Sequence, residues 1–434
     1  MNFILYLFLI ITPIPLFYLS FKCKHHLYLL LPIMALFGIY LMNIIGSITV
    51  INDDNLFSYE YYISLFIIIV MFYMFYVIVL SLKYDMFINW GEINYENNRS
   101  IKLFLVVLWA YSFYMLYLYY TRHGLPSLFY ISFFDYVNIY ELRAQKTTNI
   151  PEGMHWYRVG WSYVPQFVFI YTYILKVLYR SRKCRLLFYF NLPLVLFFSS
   201  LTLSKSVYVY LLLSLLLVNL LIRGKQYDIR RISMYIGGGV VTMILMIRLY
   251  LLDRGFIDVL QLAPYFLYRR ICTLYTKAHA HIIQIFPDQH DFFYGLTFGN
   301  PGHILPYDPV NLSQFLGYWV YGGLVNYSSP SFSQGYANFG WLGFILIILI
   351  MFLQIVLLQI VFKKCPKIPL FLAIYVMVVP RMLGYANTSI QAIISELFII
   401  FSITCVFAYY FSRDFMMSLA QDKRAVNFRR PLQE

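Results

Sequence analysis

Apolar runs about one bilayer long, broken by short clusters of charge, repeat along almost the whole chain. A stretch of ~20 apolar residues crosses one hydrocarbon core as a helix. Counting runs between charges predicts eleven such helices, near 2–20, 27–50, 57–82, 101–121, 159–180, 186–203, 206–222, 233–252, 338–362, 368–381 and 389–412. The tenth is short, and only Ser204-Lys205 parts the sixth from the seventh. Two segments break the rhythm, about 122–158 and about 253–337. The first run has no cationic start and no small-residue cleavage site before Lys22, so it reads as a retained span.

Composition makes this pattern decisive. The chain has 434 residues, 61% hydrophobic and 12% charged, where a soluble domain carries ~25% charge. A water-soluble enzyme, a disordered chain and a secreted disulfide scaffold are all excluded. What remains is a single all-α polytopic inner-membrane domain over residues 1–434. Aromatics reach 21%, with 43 Tyr and 40 Phe. They suit interfacial belts and also stacking on sugar rings. Cys23, Cys184, Cys272, Cys365 and Cys405 are scattered without a CxxC pair, so neither a disulfide nor a zinc site is expected.

The net charge of +14 would suggest nucleic acid in a soluble protein. In a membrane protein Lys and Arg set orientation instead, and no nucleic-acid partner is expected. About two-thirds of the 33 basic residues fall in alternate short loops. These hold Lys22 and Lys24; Lys83, Arg99 and Lys102; Arg180, Arg182, Lys183 and Arg185; Arg223, Lys225, Arg230 and Arg231; Lys363, Lys364 and Lys367; and the tail from Arg413 to Arg430. The positive-inside rule makes this set cytoplasmic, with the N-terminus outside and the C-terminus inside. Both long segments then face out, toward the periplasm. The inner loops leave no room for an ATP-binding domain, so any chemistry belongs to the outer side.

Familiar catalytic signatures are missing. There is no GxxxxGK[ST], no GxGxxG after a strand, no HExxH and no GxSxG. Gly237-Gly238-Gly239 sits in an apolar run, where small residues let helices approach. His279 and His281 in "KAHAH" lack a carboxylate or cysteine partner in sequence. No metal and no cofactor is expected.

Charge near the outer ends of the spans is the remaining signal. An ionisable group in a span costs ~2.5–3.5 kcal/mol on insertion scales and faces a cavity or a partner. Lys205, Arg248, Arg254, Arg381 and Glu396 all stand there. An amphipathic helix is predicted over about 257–286 within the second long loop. At ~100° per residue it aligns Arg270, Thr273, Lys277, His281 and Gln284 on one stripe, with Leu267, Ile271, Leu274 and Ile282 among the apolar residues elsewhere. Such a stripe suits an anionic lipid headgroup, with Arg as a planar fork and Lys as a point charge. The first long loop adds Arg143, Lys146, Glu152, His155, Trp156, Tyr157 and Arg158. Asp53-Asp54 reads as an acidic pair marking an outer boundary.

Three stretches together resemble the Wzy-type O-antigen and oligosaccharide-repeat-unit polymerases: "LTLSKSV", "YRRICTLY…IIQIFPDQHDFFYGLTF" and "PSFSQGYANFGWLGFI". In the last, Tyr336, Ala337, Asn338, Phe339, Gly340 and Gly343 carry the match. The resemblance extends in order and texture across most of the chain. It implies a GT-C-like glycosyltransferase needing no metal or nucleotide. Such an enzyme passes a growing glycan from undecaprenyl diphosphate to the non-reducing sugar of another lipid-linked unit. Its leaving group is a lipid diphosphate, so positive charge is required where negative charge develops.

On this reading Arg270, Arg143, Glu152 and His281 are the catalytic candidates, with Glu396 a further candidate base. Arg269, Arg158, Lys205, Arg248, Lys277 and Arg254 would hold the diphosphate. Trp156, Tyr157, Tyr294, Tyr336 and Asn338 would meet the glycan. The partners implied are the lipid-linked oligosaccharide, membrane lipids, a chain-length regulator and a flippase. Two rivals use the same features differently. An O-antigen ligase or other lipid-linked-sugar transferase would share the outer surface, and for the latter Asp53-Asp54 stand in the first outer loop, where many metal-dependent GT-C enzymes keep an acidic residue. A flippase would want polar groups at mid-membrane and symmetry between halves, and neither is visible.

Overall fold

In the computed structural model the described residues are 31–51, 53, 58–81, 98–124, 159–201, 205–223, scattered positions between 234 and 244, 256–298, 306–323, 327–365 and 367–387. Among them the regular structure is all helical. Helix α1 (Leu31–Ile39) continues through a π-turn (Tyr40–Ile45) into α2 (Ile48–Ile51). Then come α3 (Tyr59–Ser81), α4 (Asn98–His123), a π-turn (Val159–Tyr163) leading into α5 (Val164–Tyr179), α6 (Arg182–Ser200) and α7 (Lys205–Arg223). The second long segment supplies α8 (Phe256–Tyr268), a π-turn (Arg269–Thr273), α9 (Leu274–Ile285) and α10 (Leu312–Tyr321). Finally α11 (Ser331–Lys364) and α12 (Pro369–Arg381) run into a 3-10 turn (Met382–Asn387).

Four of these stretches are long and apolar enough to cross a membrane: Leu31–Ile51, Tyr59–Val79, Ser331–Lys364 and Pro369–Asn387. The expected spans at 2–20 and 389–412 lie outside the described residues, and that at 233–252 is touched only at isolated positions.

Burial follows from which helices are apolar on every side. α12 buries every residue from Pro369 to Pro380, and α5 is buried from Val164 to Thr172. Together they form the centre of the bundle, with α6, α7 and α4 packed on α5. α11 instead has two faces. Phe344, Ile348, Met351 and Ile355 are buried, while Leu346, Leu349, Leu353 and Leu357 stay exposed at helical spacing. An exposed apolar stripe of this length suits contact with lipid tails.

The α5–α6 hairpin lies in the basic cluster that the charge pattern places inside. Arg180 adopts φ 50° as the left-handed end of α5. Ser181 caps α6, its hydroxyl accepting from the Cys184 amide at 3.2 Å. Lys176 lies 4.3 Å from the ring centre of Phe188 and 4.6 Å from that of Tyr189.

The run expected as a span over 338–362 falls on the long part of α11, and a short helix precedes it, parted from it where Phe339 (φ −139°, ψ 19°) and Gly340 (φ 62°, ψ −146°) leave helical geometry. Only glycine adopts the Gly340 conformation without steric cost. The short helix before the break, Ser331–Asn338, is buried along its whole length. It is wedged against the long one so closely that a Cβ on Gly335 would stand 2.4 Å from the Gly343 carbonyl oxygen.

Candidate functional site

The site grows from the π-turn at Arg269–Thr273. This turn packs on the π-turn at Tyr40–Ile45. Their backbones meet at Gly46, where a Cβ would fall 1.9 Å from the Cys272 carbonyl oxygen. A π-turn inserts one residue into a helix and so rotates the helix before it by ~100° relative to the helix after it. That changes the predicted stripe. In a uniform helix Arg269 and His281 are ~120° apart, but with one residue inserted they differ by only ~20°. Arg269 therefore lines up with Lys277 and His281. Thr273, expected on the same stripe, is buried instead.

Contacts agree with this register. Lys277 Nζ forms an ion pair with Asp53 at 3.0 Å, both side chains about one-third exposed. The His281 ring sits edge-on to Tyr327 with centroids 6.0 Å apart. Burial pushes its imidazole below the ordinary value, Lys277 adds to that and Asp53 opposes it. Tyr327 is buried, and its phenol is pushed up by burial and by neighbouring Tyr321, against the nearby Arg269 guanidinium. One face thus carries the exposed Arg269, an ammonium–carboxylate pair and an imidazole set against the buried Tyr327.

The opposite face of α9 is locked into the bundle. His279 is buried between Ser64 of α3 (Nε2···Oγ 2.9 Å) and Ser333 of the short helix (Oγ···Nδ1 2.8 Å). Ser64 donates its own proton to the Tyr61 carbonyl at 2.7 Å. It must therefore accept from His279 Nε2–H, which leaves Nδ1 to accept from Ser333. Phe344 stacks on the ring, and Phe332 meets it edge-on. Burial lowers this imidazole to about 3.

The third part is the segment carrying "FPDQHDFFYGLTF". Its Phe293 and Tyr294 amides donate to the Ala337 and Asn338 carbonyls at 2.9 and 3.1 Å, satisfying the end of the short helix. Asn338 accepts from the Gly295 amide at 2.9 Å and donates to the Gln334 carbonyl at 2.7 Å. Gln334 donates to the Thr297 carbonyl at 2.7 Å. Asn338→Ala is expected to strand several buried groups and lower stability by about 3 kcal/mol. Thermal unfolding in detergent measures that loss, and an unchanged melting temperature contradicts the role.

Several sequence-based assignments shift accordingly. Tyr336 and Asn338 are buried, so neither ring nor amide offers a glycan a face; both support the site from beneath. Tyr294 is 73% exposed and remains available for stacking. Lys277 is held by a carboxylate rather than standing open for phosphate. Lys205 begins α7 and Arg270 lies in the π-turn. Arg143, Glu152, Trp156, Tyr157, Arg158, Arg248, Arg254 and Glu396 lie outside the described residues, as does Asp54. No group of three or more potential metal ligands occurs among the described residues.

Sequence reasoning misses Asp53 as a partner of Lys277, because 224 positions separate them. It also misses the setting of Arg381. This guanidinium donates to the Met377 carbonyl and to Gln166, with Tyr163 and Tyr210 rings 4.8 and 5.3 Å away. The charge pattern marks Arg381 as an ionisable group that needs a cavity or a partner, but not which groups it meets. Comparison with known protein families, with curated proteins and with solved structures gives no match.

Proposed function

We propose that this chain is a membrane-embedded glycosyltransferase. It polymerises undecaprenyl-diphosphate-linked oligosaccharide units on the outer face of the bacterial inner membrane. The growing glycan leaves its lipid diphosphate and joins the non-reducing sugar of a new lipid-linked unit. The observation that carries the reading is the alignment of Arg269, Lys277 and His281 on one side of a helix whose other side is locked by His279. Arg269 is the open cation on that side, and positive charge beside a departing diphosphate stabilises the anion as it forms. The eleven-span topology, N-terminus outside and C-terminus inside, belongs to the same reading. So do membrane lipids, a chain-length regulator and a flippase as partners.

A gene deletion in the native strain tests it on a surface-glycan gel. Lipid A–core bearing one repeat unit, with the long ladder gone, is the expected result. An unchanged ladder overturns the proposal. Loss of every repeat also overturns it: lipid-linked polymer accumulating outside then indicates a ligase, and single units trapped inside a flippase.

A further inference from the structure

Tyr294 stands in a backbone conformation that suits its side chain poorly. Its φ is 47°, in the left-handed region, and Gly295 follows at 98°. Glycine and asparagine enter that region readily, whereas a bulky aromatic residue does so at a steric cost. The fold holds the turn there from beneath. Asn338 accepts from the Tyr294 amide through its carbonyl at 3.1 Å and from the Gly295 amide through its side chain at 2.9 Å. Val310 donates to the Leu296 carbonyl at 2.7 Å, which brings the segment bearing Asp308 alongside. Asp291 and Asp308 are both exposed. The Tyr294 ring adds little packing, being 73% exposed and edge-on to Phe292 with centroids 6.5 Å apart. Strain kept where packing does not call for it marks a functional position.

We infer that Tyr294 is the platform of a glycan subsite remote from the reacting bond, one that sets how long the product grows. The inference rests on the polymerase reading and deepens it. The ring takes the apolar C–H face of one sugar, and the carboxylates nearby accept from its hydroxyls. Those carboxylates repel an anionic lipid headgroup, which favours a sugar over the bilayer surface. Place in the fold decides which sugar. Phe292 and Phe293 pack on Phe286, the residue that ends α9, whereas Arg269 precedes that helix. The helix between them has 12 residues and is about 18 Å long. A sugar at Tyr294 therefore lies well along the chain from the one that leaves the diphosphate. Because the units repeat, each transfer returns an equivalent sugar to the ring. The chain stays held between additions.

Three replacements in the complemented deletion strain test this, with each purified protein also melted in detergent. Tyr294→Asn suits the backbone and removes the ring, so it should melt at or above the wild-type temperature while the ladder shortens. Calorimetry with surface glycan, released from the native strain by mild acid, is expected to show binding weakened about fivefold, the loss of one stacked ring. Tyr294→Phe keeps the flat face and should keep both chain length and affinity. Tyr294→Leu keeps apolar bulk alone and should shorten the ladder as Tyr294→Asn does. Full-length chains from Tyr294→Asn overturn the inference. So do full-length chains from Tyr294→Leu, which would indicate a side chain seated in lipid. Melting of Tyr294→Asn well below wild type also overturns it, because the ring would then be structural. An unchanged ladder in the deletion itself removes the polymerase reading, and the calorimetry then decides whether a glycan site remains. A ladder lost there but full-length in Tyr294→Asn removes the subsite alone.

Discussion

Valine at position 343 is expected to leave little folded protein in the membrane. A single Cβ at Gly343 would lie 2.2 Å from the Gly335 carbonyl oxygen and 2.9 Å from the Phe339 side chain. The obstacle is backbone, which cannot swing aside as a side chain does. Overpacking of this kind costs about 3 kcal/mol or more. The loss propagates, because the short helix from Ser331 carries Ser333 to His279 and Gln334 and Asn338 to Thr297. Leu342→Ala, at a side chain 68% exposed on the adjacent position, serves as the control and should melt like wild type. Thermal unfolding in detergent distinguishes them, and equal melting of Gly343→Val and wild type contradicts the packing described.

Acid should unfold this protein partly through one imidazole. His279 is neutral in the fold, where burial lowers its value from 6.5 to about 3. In the unfolded chain it takes a proton near pH 6.5. Between those limits the unfolded state binds more protons, so stability falls as pH falls. The slope is up to ~1.4 kcal/mol per unit, and this group contributes no change above about pH 7. His279→Gln keeps polar atoms facing Ser64 and Ser333 without a titrating ring. Melting temperatures from about pH 7.5 to about pH 4.5, a window that spans this titration, should therefore drop less steeply in the variant than in wild type. Parallel slopes contradict the assignment.

The hydrophobic pattern reveals helices well because it records burial and lipid contact residue by residue. The ranges 57–82, 159–180 and 368–381 sit within a few positions of Tyr59–Ser81, Val159–Tyr179 and Pro369–Arg381. Backbone irregularity leaves no such record. The break at Phe339-Gly340 and the π-turn at Arg269–Thr273 are fixed by close approaches, Gly335 to Gly343 and Gly46 to Cys272, which depend on partners remote in sequence. Because the π-turn has no signature in the pattern, a uniform helix places Arg270 and Thr273 on the stripe where Arg269 aligns. The types of residue at the candidate site are legible, as cations on a greasy helix. Their grouping is not, since Asp53 and Tyr327 arrive from other segments.

If the exposed Arg269 guanidinium drives glycan transfer from a lipid diphosphate, removing it must stop polymerisation. Complementing the deletion strain with Arg269→Ala tests this directly, at matched membrane amounts and beside Lys176→Met in the α5–α6 hairpin. Arg269→Ala is expected to leave core glycan capped by single repeat units, while Lys176→Met restores the long ladder. A full ladder from Arg269→Ala would contradict the role of that guanidinium.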